Sequence, residues 1–350
     1  LGLLKMDFLG LRNLTVLEDA ARRVRRRVPD FQVERIPLDD KKTFDMLAAG
    51  RTVGVFQLES AGITSVCMGL RPRSIEDITA VIALYRPGPM EGIPRFLACS
   101  AHPERITYQH PLLEPILAVT YGCIVYQEQV IEIFRQLAGF SLGQADMIRR
   151  AMSKKKEAVI TAERAAFVHG DPARSIPGAV AKGVPEQTAN DIYDEILAFA
   201  SYAFNKAHAV CYAVVSFRTA YLKCHYPREY MAALLTSVLD VSEKISEYIQ
   251  TAREMGISVQ PPDVNLSYDS FSVADSDIRF GLAAVKGVGR SFMKQLVDER
   301  EKNGIFTSFQ DFCERMYDRE LNRRALECLI KAGAFDSMGC RRSQLLRIVP

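Results

Sequence analysis

Apolar side chains recur at three- and four-residue spacings through most of the chain, as in Val130, Ile133, Phe134 and Leu137. That spacing places them on one face of a helix. It predominates from about residue 40 to residue 255, so this stretch is expected to be helical. The loops in it are marked by Arg86-Pro87-Gly88-Pro89, by Gly170-Asp171-Pro172 and by Pro177-Gly178. Two short apolar runs, 53–56 and 120–125, are candidates for strands. The opening Leu3-Leu4-Lys5-Met6-Asp7-Phe8-Leu9-Gly10 is short, mostly apolar and closed by glycine, and it reads as a buried strand; periodicity alone leaves a helix open for so short a run. Asn13 is expected to cap a helix reaching Val28, before Pro29. No internal repeat or low-complexity tract interrupts the pattern.

The pattern changes near Gln260-Pro261-Pro262-Asp263, which is expected to be a linker. Beyond it, 270–273 and 277–280 alternate around Ala274-Asp275-Ser276, as in a β-hairpin. Helical spacing returns from Gly281. An α-rich block is therefore expected before residue 260 and a small module after it.

At about 150 residues per domain, 350 residues predict two or three domains. With 48% apolar and 25% charged residues the composition is that of an ordinary globular chain, and a net charge of +3 does not by itself name a polyanionic partner. The longest stretch without a formal charge, 115–127, is thirteen residues, short of the roughly 20 that a membrane helix needs. No secretion leader is recognisable, and eight scattered cysteines without a CxxC pair read as reduced thiols of a cytoplasmic protein. The chain opens Leu1-Gly2-Leu3-Leu4 without an initiator methionine, so it is expected to be a piece of a longer protein.

Four places carry candidate chemistry. Asp7 is a carboxylate near the end of an apolar run, which suits a metal ligand such as one for Mg²⁺, but on pattern alone a pair with Lys5 or Arg12, or simple exposure at the strand end, fits better. The run 149–156 holds five cations and no acid, including Arg149, Arg150 and Lys154. On a helix these repel one another unless an anion lies against them, and either a phosphate-rich ligand or a solvated basic face fits. In Tyr202-Ala203-Phe204-Asn205-Lys206-Ala207-His208, Asn205 is a helix cap, while Lys206 and a protonated His208 would sit at the positive end of the helix dipole. Exposed amides and side-chain donors there suit an anion, and the aromatic rings offer bases a stacking surface. Lys286-Gly287-Val288-Gly289-Arg290 is a Gly-hydrophobic-Gly turn expected between two short helices, a geometry that can turn amides toward a nucleic-acid phosphate. A plain helix cap and turn is the alternative.

Read together, these segments resemble the bacterial DNA polymerase III alpha-subunit family, the C-family replicative polymerases. The resemblance is carried by Lys5-Met6-Asp7-Phe8-Leu9-Gly10-Leu11, Gly54-Val55-Phe56-Gln57-Leu58-Glu59-Ser60, Ala83-Leu84-Tyr85-Arg86-Pro87-Gly88-Pro89-Met90 and Val125-Tyr126-Gln127-Glu128-Gln129. It continues through the 149–156 cluster, Phe204-Asn205-Lys206-Ala207-His208-Ala209 and Tyr221-Leu222-Lys223. The resemblance implies a mainly α fold: the end of a nucleotidyltransferase-like palm in 1–12, α-helical fingers in 13–260, and a small β-hairpin with a helix-hairpin-helix DNA-binding module in 261–350. It implies template-directed DNA synthesis by two-metal phosphoryl transfer, with Mg²⁺ as cofactor and with primer-template DNA and dNTPs as partners. A sliding clamp and other replisome subunits would bind through regions mostly outside this chain.

Asp7 then matches one of three metal-binding aspartates. Arg149, Arg150, Lys154, Tyr202, Asn205, Lys206 and His208 match residues that face the incoming nucleotide, and 286–290 the DNA-binding turn. The other two aspartates, an Asp-x-Asp pair upstream of the Asp7 motif, have no counterpart in the sequence. The chain alone is therefore expected to be inactive, since one aspartate cannot hold two metal ions in catalytic geometry. Residues 98–107 and 169–184 depart from the expected pattern and receive no role. A reading from another class is a non-catalytic DNA-binding scaffold that uses the hairpin and the basic patches.

Overall fold

The computed structural model describes residues 2, 4–7, 10–153, 157–200, 204–319 and 321–349. These form two compact units, one of Pro37–Phe217 and one of Leu1–Ile36 with Arg218–Pro350. Helix dominates both, as expected, and a small three-stranded sheet lies in the second.

The chain opens with α1 (Arg12–Arg25), whose Val16, Leu17, Ala20, Ala21 and Val24 are buried. Its cap is Leu11, and Asn13 already lies within the helix. The described residues before it carry no strand, and Leu4 and Met6 are exposed. A strand exists only as one rail of a hydrogen-bonded ladder, and none of the described strands pairs with this segment. The arginine-rich end of α1 is largely matched within its own unit. Asp19 takes Arg22 and Arg23, Glu18 takes Arg25, and the buried Glu229 takes Arg27 at 3.1 Å.

The unit Pro37–Phe217 continues with α2 (Lys41–Ala48), α3 (Ala61–Leu70), α4 (Ile75–Leu84), α5 (Ile93–Ala101), α6 (Glu114–Leu117), α7 (Gln127–Ala138), α8 (Leu142–Ser153), α9 (Glu157–His169) and α10 (Glu186–Ala200). The start of α11 (Lys206–His225) completes it. The apolar positions read from the sequence of α7 are its buried face: Val130, Ile133, Phe134 and Leu137 are all 2% exposed or less. Phe134 packs edge-on against Phe140, Phe167 and Tyr193, with ring centroids 5.0–5.9 Å apart. Truncating such a side chain to alanine costs about 3–5 kcal/mol, so this cluster stabilises the frame from which α7 projects. At the start of α7 the buried Gln129 side chain turns back. Its Oε1 accepts from the Val125 and Tyr126 amides at 2.8 and 2.9 Å, and its Nε2 donates to Thr120 Oγ1 and the Ile116 carbonyl. The entry to α7 is thereby held on both sides.

Neither 53–56 nor 120–125 is a strand. Gly54 and Gln57 have positive φ, as do the adjacent Tyr121 and Gly122, and such turns break an extended run. The segment 169–184 is packed scaffold. Asp171 and Ile176 bridge, and a Cβ on Gly178 would lie 2.3 Å from the Gly170 nitrogen, so the two backbones touch. Arg174 binds both Glu163 and Asp171.

The remaining unit adds α12 (Pro227–Thr236) and α13 (Ser242–Glu254). Then come β1 (Val259–Gln260), β2 (Ser272–Ala274) and β3 (Asp277–Arg279) in the order β1-β3-β2. The expected hairpin is β2 with β3, antiparallel with Ala274 opposite Asp277, and Asp275 takes a positive φ in the turn. The segment expected as a linker begins instead as β1, whose Val259 pairs parallel with the fully buried Ile278. Helices α14 (Arg290–Asn303), α15 (Phe309–Met316), α16 (Arg323–Ala332) and α17 (Arg342–Ile348) close the chain around Phe306, Phe312 and Phe335. Arg300 is buried among them and donates to the Val264 and Ser267 carbonyls, both at 2.8 Å.

Candidate nucleotide and nucleic-acid sites

In the unit Pro37–Phe217 the chain doubles back on itself at the start of α7. The Gln127 amide donates to the Phe204 carbonyl at 2.9 Å and the Phe204 amide to the Val125 carbonyl at 3.4 Å, a parallel bridge between segments far apart in sequence. Arg86 stacks 4.2 Å above the Phe204 ring, and burial lowers its guanidinium pKa. The next residues begin α11. Asn205 is the cap expected of it, its Oδ1 accepting from the His208 amide at 2.9 Å.

The anion at this helix start is a side chain of the chain itself. Glu128 accepts the Lys206 amide with both oxygens, at 3.1 and 3.0 Å, and Asn205 Nδ2 at 3.2 Å. It lies in the first turn of α7 and at the first turn of α11, so both dipoles favour its charge. Lys206 Nζ stands 5.4 Å from the centre of the Tyr126 ring, and burial pushes the Tyr126 phenol pKa up. The His208 ring lies between Phe204, edge-on at 5.5 Å, and Tyr212, tilted at 4.2 Å.

The basic helix meets the same turn. Arg149 Nη1 donates to Gln127 Oε1 at 2.9 Å, the neighbour of Glu128. The like-charge crowding expected in 149–156 is partly relieved one turn earlier, where Asp146 binds Arg149 and Arg150, both at 2.8 Å. These hydrogen bonds, Arg149's first, hold the Asp146 carboxyl below its usual range. Arg149 and the pair Asn205–Lys206, from two stretches singled out in the sequence, are thus brought to adjacent residues, Gln127 and Glu128, while Arg150 pairs with Asp146 and the His208 amide with Asn205. Lys154 and Tyr202 lie outside the described residues. Sequence reasoning used Arg86, Gln127 and Glu128 only as carriers of a family resemblance. No local signal reveals their contacts, which are made across the fold.

In the other unit, the turn 286–289 is preceded by only a three-residue 3₁₀ turn, Leu282–Ala284, and followed by α14. Gly287 has φ +91°, which favours glycine, and a Cβ there would come within 2.9 Å of Cys328 Sγ, which would have to shift. Gly289 is extended, φ −76° and ψ 144°, and forms the start of α14. A Cβ on it would meet nothing within 4 Å among the described residues. Lys286 and Arg290 are exposed, Arg290 within 2.9 Å of the exposed Asp240. Such a surface pair contributes little, so Arg290 remains available to another anion.

Asp7 is exposed, with Lys5 Nζ 3.7 Å from its Oδ1. Among the described residues, no group of three or more His, Cys, Asp or Glu side chains could hold a metal ion. The described residues therefore do not compose a two-metal site by themselves. Among the described residues, no helix is long and apolar enough to cross a membrane.

A model of the bacterial DNA polymerase III alpha subunit finger domain matches residues 13–174, and a helix-hairpin-helix motif model matches 256–345. The chain is 48% identical, over all of its length, to DNA polymerase III subunit alpha of Thermus aquaticus. It is 45% identical over 98% of its length to that of Borreliella burgdorferi, and 44% identical over all of its length to that of Staphylococcus epidermidis. It spans 28%, 29% and 32% of these three proteins respectively. With two family models in chain order and such identity from end to end, the chain belongs to the bacterial DNA polymerase III alpha-subunit family and corresponds to a part of that protein.

Proposed function

We propose that this chain supplies the end of the palm (1–12), the fingers (13–260) and a helix-hairpin-helix module (261–350) of a bacterial replicative DNA polymerase. The parent protein extends primer-template DNA from dNTPs in the cytoplasm, working with a sliding clamp and other replisome subunits. Mg²⁺ is the cofactor that this activity calls for, and Asp7 is the residue of this chain assigned to it.

The observation that carries the reading is the convergence of Arg149 with Asn205 and Lys206 on one turn, at Gln127 and Glu128, with Arg150 beside Arg149 on Asp146 and His208 in the same first turn of α11. Cationic side chains gathered beside aromatic rings suit a nucleoside triphosphate: the charges face the phosphates and the rings face the base. Lys154 and Tyr202 belong to the same group by their place in the sequence. The turn 286–290 serves duplex DNA, with backbone amides and Lys286 against a phosphate.

The test is Lys206→Ala in the full-length polymerase, measured by steady-state nucleotide incorporation. The expected result is a rise in KM for dNTP of roughly tenfold or more, the worth of one hydrogen bond to a charged group, with DNA affinity retained. An unchanged KM overturns the assignment. A full-length protein that binds DNA but incorporates no nucleotide favours the scaffold reading.

A further inference from the structure

We infer that Glu128 is a positioning residue for nucleotide binding: its carboxylate fixes the direction in which the start of α11 presents Lys206 and His208. The inference rests on the proposal that these residues meet the incoming nucleotide.

Glu128 holds the frame that carries the cations: it accepts the Lys206 backbone amide with both oxygens and the Asn205 side-chain amide. The Lys206 amide is one of the unpaired donors at a helix start, and a charged acceptor there makes a short, strong bond. The other side of the same segment is held by the backbone bridge between Phe204 and residues 125–127. Glu128 itself is steadied by α7, whose first turn is locked through Gln129. Bridge, carboxylate and cap therefore follow one another at Phe204, Glu128 and Asn205. They leave residues 204–206 little freedom to swing, while the Lys206 ammonium lies over the Tyr126 ring. A binding group held in place before its ligand arrives loses less freedom on binding.

The experiment compares Glu128→Ala, Glu128→Gln and Lys206→Ala in the full-length polymerase, measuring KM for dNTP, kcat and DNA affinity for each. Glu128→Ala is expected to raise KM about fivefold, the ratio that corresponds to the ~1 kcal/mol of a lost helix cap, with DNA affinity unchanged. Glu128→Gln, which keeps one acceptor oxygen in the same place, is expected to recover part of that loss. Positioning is overturned if KM is unchanged in both Glu128 variants, or if DNA affinity falls by the same factor as KM rises, which marks general damage. It is also overturned if Glu128→Gln lowers KM, for the carboxylate would then be competing with the triphosphate. Should the alanine variant fail to fold, Glu128→Gln decides: a raised KM at unchanged DNA affinity supports positioning, and an unchanged or lowered one overturns it. If Lys206→Ala leaves KM untouched, the nucleotide assignment itself fails. If Lys206→Ala raises KM and the Glu128 variants do not, only the positioning role fails.

Discussion

Helices α11 and α14 both begin with a cation, Lys206 in one and Arg290 in the other, next to a residue suited to a cap. The first start is filled from within: Glu128 and Asn205 take its amides, and aromatic rings surround it. The second begins at Gly289, which has no side-chain oxygen and whose missing Cβ would point into open space. The difference is one of kind. A start tied down by internal acceptors presents its side chains to a ligand in a fixed direction. A start with a bare glycine presents its backbone, and can be approached to contact distance. Side-chain recognition of a nucleotide suits the first, and a phosphate gripped by main-chain amides suits the second.

The largest effect expected on this comparison comes from Gly287→Val. A β-branched residue at φ +91°, forced against Cys328, should destabilise the module by roughly 2–4 kcal/mol. Hydrogen exchange of the α14 and α16 amides would report the loss, and unaltered protection would show that the turn relaxes freely. Asn205→Ala should cost ~1 kcal/mol locally, seen as about fivefold faster exchange of the amides of residues 206–208 in the full-length protein. No change would mean that Glu128 alone secures that start, and would sharpen the case for it. The smallest effects on stability belong to the open start. Gly289→Ala should alter stability by only about 0.5 kcal/mol and yet weaken DNA binding, because its Cβ meets only the ligand. Lys286→Ala should lower the slope of log affinity against log salt by about one. Wild-type DNA affinity and salt slope in these variants would break the parallel between this start and a phosphate site.

Much of the fold can be read locally. The buried face of α7, the cap at Asn205 and the β2–β3 hairpin depend on neighbours a few residues apart, so spacing is enough to find them. The sequence misleads where an apolar run looks extended but lacks a strand to pair with. Residues 53–56 and 120–125 fold into turns for this reason, with positive φ at Gly54 and Gly122. A run of like charge is likewise not enough to mark an anion site: 22–27 holds five arginines. Most of them are matched by Asp19, Glu18 and Glu229.

What the sequence determined alone is therefore the helical class, the hairpin, the family and the residue types from which two anion sites could be built. These follow from periodicity, capping and motif order, all properties of short segments. What only the tertiary structure decided is which of those residues meet. Gln127 and Glu128 receive Arg149 from 22 positions away and Asn205 and Lys206 from 77 and 78 positions away. Contacts of that separation are set by how α7, α8 and α11 pack, and a carboxylate in the first turn of one helix carries no local mark that it will hold the start of another.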